Sequence, residues 1–252
     1  MKELSLNLQS ATPETTATPW HMPRLPRISI PRFGLHTPGS PERVAVEAYI
    51  HDRFAGVHHA EVTHFLPNII SLRCGGDYSA AVGLAPAGNG NVFAEQYLDA
   101  PVETVISEKL GLQVARDQIV EIGNLVSTWK GSSLLLFIVI GEVMERLGYH
   151  YVMFTGTREV KALLARLRYS PVVLADADPA RLPDGGASWG TYYANNPQVM
   201  FGDNRPAMEA ARKNPMYRAT VAAISRPIEK ICAGFRAVNQ DALAKVVEQS
   251  HE

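Results

Sequence analysis

Ile119-Val120-Glu121-Ile122-Gly123-Asn124-Leu125-Val126 is the stretch on which the fold turns. Its β-branched and apolar residues, broken by one carboxylate and one glycine, predict a buried strand. Alternation sets Ile119, Glu121, Gly123 and Leu125 on one face and Val120, Ile122, Asn124 and Val126 on the other. Downstream, a short polar loop leads into an apolar helix to residue 147, with Ser132 or Ser133 as its cap and Gly148 as its stop. A second buried strand follows at 151–155, a helix at 158–168 and a third strand at 171–175. Strand, helix, strand, helix, strand predicts a layered α/β sheet. Upstream, the pattern gives a helix from Pro41 to about residue 54. A hairpin of 68–72 and 78–84 then turns at Cys74-Gly75-Gly76-Asp77, and helical residues 94–108 restart at Pro101.

The flanks differ in kind. Residues 1–41 carry seven of the seventeen prolines and a Thr-rich run, so this segment is expected to lie extended without regular ladders. Residues 42–203 form the expected catalytic domain. Residues 204–252 form a helical extension (207–212, 217–225, 227–238 and 242–248) that packs on the domain or mediates a homodimer.

Bulk properties exclude several classes. At 252 residues and 46% apolar, the chain buries one large core. A formal net charge of -1 gives no global pull toward nucleic acid or an anionic membrane. Cys74 and Cys232 stand outside any paired-cysteine pattern and suit a reducing compartment. The polar opening residues offer no secretory signal. The apolar run 134–140 is far shorter than the roughly 20 residues of a spanning helix. The expectation is a cytoplasmic protein with no integral membrane association. No serine-hydrolase elbow, phosphate-binding P-loop or dinucleotide fingerprint is present. His51, His58, His59 and His64 do not match zinc-site spacing, and no metal is expected.

The central strand suits the aminolysis of a thioester. Mid-strand glycine marks a bulge or a close backbone approach. A half-buried Glu121 is poorly hydrated, which raises its pKa toward that of a general base. Splayed amides near Gly123 and Asn124 would face the thioester oxygen. The alternative is that Glu121 pairs with Arg116 or Arg158 and Gly123 eases packing. The loop Ser127-Thr128-Trp129-Lys130-Gly131-Ser132-Ser133 precedes a helix whose free amides attract phosphate, although many helix caps look the same.

An ordered series runs Phe65-Leu66-Pro67, Glu95-Gln96-Tyr97-Leu98-Asp99-Ala100-Pro101-Val102-Glu103, the strand above, Phe154-Thr155-Gly156-Thr157, Ala177-Asp178-Pro179 and Trp189-Gly190-Thr191-Tyr192-Tyr193. On this series the chain resembles the thermostable hemolysin family over roughly residues 43–203. The family pattern is similar to GNAT (acyl-CoA N-acyltransferase) proteins and, more distantly, to acyl-homoserine-lactone and N-acyl amino acid synthases, which share a Glu on the equivalent strand. The resemblance implies a GNAT-like α/β fold and an N-acyltransferase. Its donor would be a fatty acyl thioester on coenzyme A or acyl carrier protein, and its acceptor a small amine or amino acid. It places Glu121, Gly123 and Asn124 at the reaction centre. Leu125, Val126, Ser127, Lys130, Gly131, Ser132, Ser133, Phe154, Thr155 and Thr157 would lie along the phosphopantetheine arm.

Acceptor contacts are expected from Glu95, Tyr97, Asp99, Trp189 and Tyr192. Glu95 and Asp99 would either meet an ammonium or form a solvated acidic face; Trp189, Tyr192 and Tyr193 would either wall an acyl tunnel or anchor a strand. Two other classes remain open: a non-catalytic lipid- or carrier-binding shell, and a membrane-active hemolysin.

Overall fold

The structure, a computed structural model, describes residues 30–128, 130–166 and 169–249. Seven strands make one mixed sheet: β1 (Arg32–His36), β2 (Asn68–Cys74), β3 (Asp77–Pro86), β4 (Ile119–Ser127), β5 (Tyr151–Gly156), β6 (Val172–Asp176) and β7 (Gln198–Asp203), in the order β1-β2-β3-β4-β5-β7-β6. Every neighbouring pair is antiparallel except β4 with β5, which the helix α3 (Lys130–Leu147) joins as a crossover. The other helices are α1 (Arg43–His58), α2 (Val102–Leu110), α4 (Arg158–Arg166), α5 (Asn204–Arg212), α6 (Pro215–Ala223) and α7 (Ser225–Gln249).

Local chemistry explains the main turns. The β2–β3 hairpin closes through Gly75 and Gly76, both at positive φ (71° and 108°), as a two-residue loop between twisted strands requires. One face of the sheet packs on α3 and α7, burying Val120, Val139, Val143, Ile228 and Phe235. The opposite face buries Ile106 of α2 with Ile119, Met153 and Phe201. α1 covers the β2–β3–β4 end with Val46 and Ile50.

Several expectations change. The proline-rich segment does contribute a ladder: Arg32–His36 lies free of proline between Pro31 and Pro38 and pairs with β2 as the edge strand. The part of that segment before residue 30 lies outside the described residues. The restart at Pro101 is as expected: it separates a short 3-10 turn, Phe93–Tyr97, from α2, so Glu95 and Glu103 do not share one helix. α3 begins at Lys130, which puts Ser132 and Ser133 inside its first turn and not at its cap. β7 carried too weak an alternation to be foreseen as a strand. The two helices expected after residue 227 are one, α7.

The face assignment in β4 also changes. Between Ala81↔Val126 and Gly83↔Gly123 there is one residue on β3 and two on β4, a β-bulge at Asn124–Leu125. Asn124 takes φ 51°, the left-handed region that asparagine tolerates better than most residues. The bulge flips the alternation, so Leu125 packs on the same core as Val120 and Ile122, while Val126 packs under α1 with Ala81.

Candidate active site

The bulge sits where the two parallel strands part. β4 and β5 pair over Ile119–Ile122 with Tyr151–Phe154, yet β4 continues to Ser127 and β5 to Gly156. Beyond Ile122 and Phe154, the edge of β4 that faces β5 has no ladder partner among the described residues. The Asn124 side chain fixes this geometry: its Oδ1 accepts from the Leu66 amide at 2.9 Å and its Nδ2 donates to the His64 carbonyl at 3.1 Å. Residues 64–66 therefore lie across the bulge. A Cβ on Gly83 would stand 2.9 Å from Asn124 Oδ1 and Leu66 Cβ, and one on Gly123 would stand 3.0 Å from Leu66 Cδ1. Both glycines are explained by this crossing strap.

A cavity of about 1020 Å³ runs through the fork, at the upper end of volumes usual for small-molecule sites. On one side of the sheet it is walled by His64, Phe93, Tyr97, Trp189, Tyr192 and Tyr193. In the fork it meets Glu121, Gly123, Leu125 and Thr155. On the other side an apolar arm extends between α3, α4, α5 and α6, past Phe137, Val160, Leu164 and Met208. Among the described residues no lysine or arginine lines it.

Glu121 is 3% exposed and lines this cavity. Its Oε2 accepts from the Phe93 amide at 2.6 Å and its Oε1 from the Ala94 amide at 3.0 Å. Neither Arg116 nor Arg158 pairs with it. Burial pushes its carboxyl up to about 7 against the opposing pull of those two amides, and nearby Glu95 adds to the rise. At neutral pH the group thus exists in both protonation states, the condition a proton-transfer residue needs. Tyr97 and Tyr193 share a hydrogen bond beside it, and burial raises the pKa of both. Burial lowers that of His64, which stacks on Phe93.

Arg116 takes a different part from the one sequence reasoning allowed it. It pairs with Glu95 and Glu103 at 2.6 Å each and donates to the carbonyls of Ala87 and Gly90. Burial pushes Glu95 up, but Arg116 and the amides of Val102 and Val92 together hold it below its ordinary value. Glu95 thereby braces the turn that presents the Phe93 and Ala94 amides to Glu121. Glu95 does not line the cavity, and neither does Asp99, which is exposed and paired with Arg181.

Of the other expected site residues, Tyr97, Trp189, Tyr192, Gly123, Asn124, Leu125, Phe154, Thr155 and Thr157 line the cavity. Val126, Ser127, Gly131, Ser132 and Ser133 do not, and the side chain of Lys130 lies outside the described residues. Residues of α5 and α6 entered the wall unforeseen, because a helical tail gives no sequence sign of which cleft it closes. His58, at the end of α1, and Trp189 come together because the Thr191 amide donates to the His58 carbonyl at 2.8 Å and the Glu61 amide to the Ser188 carbonyl. No group of three or more His, Cys, Asp and Glu able to hold a metal occurs among the described residues. No helix among them is long and apolar enough to cross a membrane.

Among the described residues, then, a seven-stranded mixed sheet whose central parallel pair parts at a bulge carries helices on both faces, the layered α/β arrangement that the order of elements predicted. The chain belongs to the thermostable hemolysin family, whose sequence profile matches residues 36–208. Among solved structures it is similar to the acyl-homoserine-lactone synthase LasI (9% identity, TM-score 0.48, covering 70% of this chain and 90% of that one). It is likewise similar to FeeM, an N-acyl amino acid synthase from uncultured soil microbes (13%, 0.48, 70% and 93%). A third is an acyl-CoA N-acyltransferase from Pseudomonas aeruginosa (12%, 0.42, 69% and 99%). Likenesses this distant say nothing of what this chain acts on. No curated protein matches it.

Proposed function

We propose that this protein is an N-acyltransferase that moves a fatty acyl group from a phosphopantetheine thioester, on coenzyme A or acyl carrier protein, to a small amine. The observation that carries the proposal is one cavity passing through the fork, with a buried carboxyl titrating near neutrality beside it and an apolar arm behind. The acyl chain lies in the arm between α3 and α5, with the thioester carbon next to the unpaired edge of β4. Backbone amides on that edge stabilise the oxyanion without reorganising, because the bulge already holds them in place. The acceptor enters between Phe93, Trp189 and Tyr193. Its nitrogen attacks the thioester carbon, Glu121 takes the nitrogen's proton directly or through a water, and the C–S bond breaks as that proton passes on to the departing sulfur, giving the amide and the free thiol.

Free amides at the start of α3 suit the phosphates of either donor. A second reading, a non-catalytic shell that holds a lipid or a carrier protein, draws on the two amide bonds that already occupy Glu121. Mass spectrometry of protein incubated with acyl thioesters and a mixture of amines separates the two. The acyltransferase yields an amide and free thiol in equal amounts. Binding of the donor with no amide formed leaves the shell as the reading that stands.

A further inference from the structure

The side of the cavity away from the apolar arm is a continuous aromatic surface. His64 stacks on Phe93 with ring centroids 5.0 Å apart, and Phe93 meets Trp189 at 5.8 Å. Trp189 in turn meets Tyr192 at 5.4 Å and Phe54 at 6.0 Å, and Tyr193 stands edge to face on Tyr192 at 5.4 Å. All six rings line the same cavity, and none of these residues is fully buried. Tyr192 donates its hydroxyl hydrogen to the Thr155 carbonyl at 3.3 Å, and the Tyr193 hydroxyl bonds that of Tyr97. The wall therefore offers a ligand ring faces and edges.

This wall is tied to the carboxyl of the fork. Phe93, at its centre, gives its amide to Glu121 Oε2 at 2.6 Å. Among the described residues Glu121 is the only Asp or Glu that lines the cavity, and no lysine or arginine does. A cation beside these rings gains from their negative faces and from Glu121 alike; an anion gains from neither. Glu121 is 3% exposed, and an α-carboxylate stands one carbon from its amino nitrogen. A nitrogen within reach of Glu121 thus holds that carboxylate inside, against a second carboxylate and with no cation to pair it, at a heavy cost. An aromatic body, by contrast, makes offset or edge-to-face contacts with the wall that add to the burial of its area.

We infer that the acceptor is an aromatic monoamine without a carboxylate, its ring against Phe93 and Trp189 and its nitrogen toward Glu121. This rests on the acyltransferase reading and deepens it by naming the acceptor class. The two rings select the aromatic body, and Glu121 turns amino acids away.

Calorimetric titration of the full-length protein tests it at pH 8, where Glu121 is mostly ionised. The ligands are 2-phenylethylamine, 2-cyclohexylethylamine and phenylalanine, each with and without S-dodecyl coenzyme A as an unreactive donor. The aromatic amine binds about tenfold or more tighter than phenylalanine. It binds about twofold to tenfold tighter than its saturated counterpart. The second preference falls to about one in Trp189→Leu and in Phe93→Leu, and the first narrows in Glu121→Gln. Phenylalanine or the saturated amine binding as tightly as 2-phenylethylamine overturns this inference. So does an aromatic preference that survives both ring substitutions, a bias against phenylalanine unchanged in Glu121→Gln, or binding of none of the three. Each of these results leaves the acyltransferase reading standing, because amide formation from the mixed amines decides that reading separately.

Discussion

Replacing Glu121 with Gln should cost the protein stability at acid pH and cost it little or nothing at alkaline pH. The carboxyl is raised from 4.5 to about 7 in the folded protein. At 1.36 kcal/mol per unit, ionising it there costs about 3 kcal/mol more than in the unfolded chain. Below about pH 4.5 the group is protonated in both states and the penalty is absent. As pH rises through about 7 the folded state must ionise it, and stability falls by the full amount. Glutamine never pays this. It does lose one of two amide contacts, since its NH2 cannot accept from Phe93 or Ala94, at about 1–3 kcal/mol. Urea denaturation should therefore find E121Q less stable than wild type by about 1–3 kcal/mol near pH 5 and equal or slightly more stable near pH 8. Turnover should drop about a hundredfold or more at both, the share of a general base. A stability deficit that does not change with pH would show that the carboxyl is not poorly hydrated. Unchanged turnover would remove Glu121 from the chemistry.

The pH dependence of kcat/KM should rise with unit slope through about 7 and lose that limb in the Gln variant, as stopped assays of thiol release would show. Gly83→Ala should lower stability by about 1–3 kcal/mol, because the new methyl meets both Asn124 Oδ1 and Leu66 Cβ in a thermal melt's native state. Gly141→Phe, which points a ring toward Met208 across the arm, should shift substrate preference to shorter acyl chains in competition assays. If acyl transfer is the activity, purified protein without acyl donor should leave dye-loaded vesicles intact, whereas dye release would favour the membrane-active reading.

What could be seen from sequence followed from how locally each feature is determined. β4 announced itself because five apolar residues at strand spacing surround one carboxylate. The β2–β3 turn followed from paired glycines. The bulge at Asn124 was hidden, since the same residues read as unbroken alternation until β3 supplies a partner one residue shorter. The partners of Glu121 were hidden for a related reason. A search for an arginine looks among charged side chains, whereas the structure uses two amides of a turn 28 and 27 positions away. Arg116 was instead spent on Glu95 and Glu103, removing Glu95 from the cavity. The apolar arm of the cavity depends on α5 and α6 folding back over α3, a long-range contact that composition does not encode.

The most direct test of the central claim is a crystal structure with a non-cleavable acyl-pantetheine thioether. The account predicts continuous density through the gap beyond Ile122 and Phe154, with the thioester position beside Gly123 and within reach of Glu121. Density confined to the surface, with that gap closed or filled only by solvent, would contradict it.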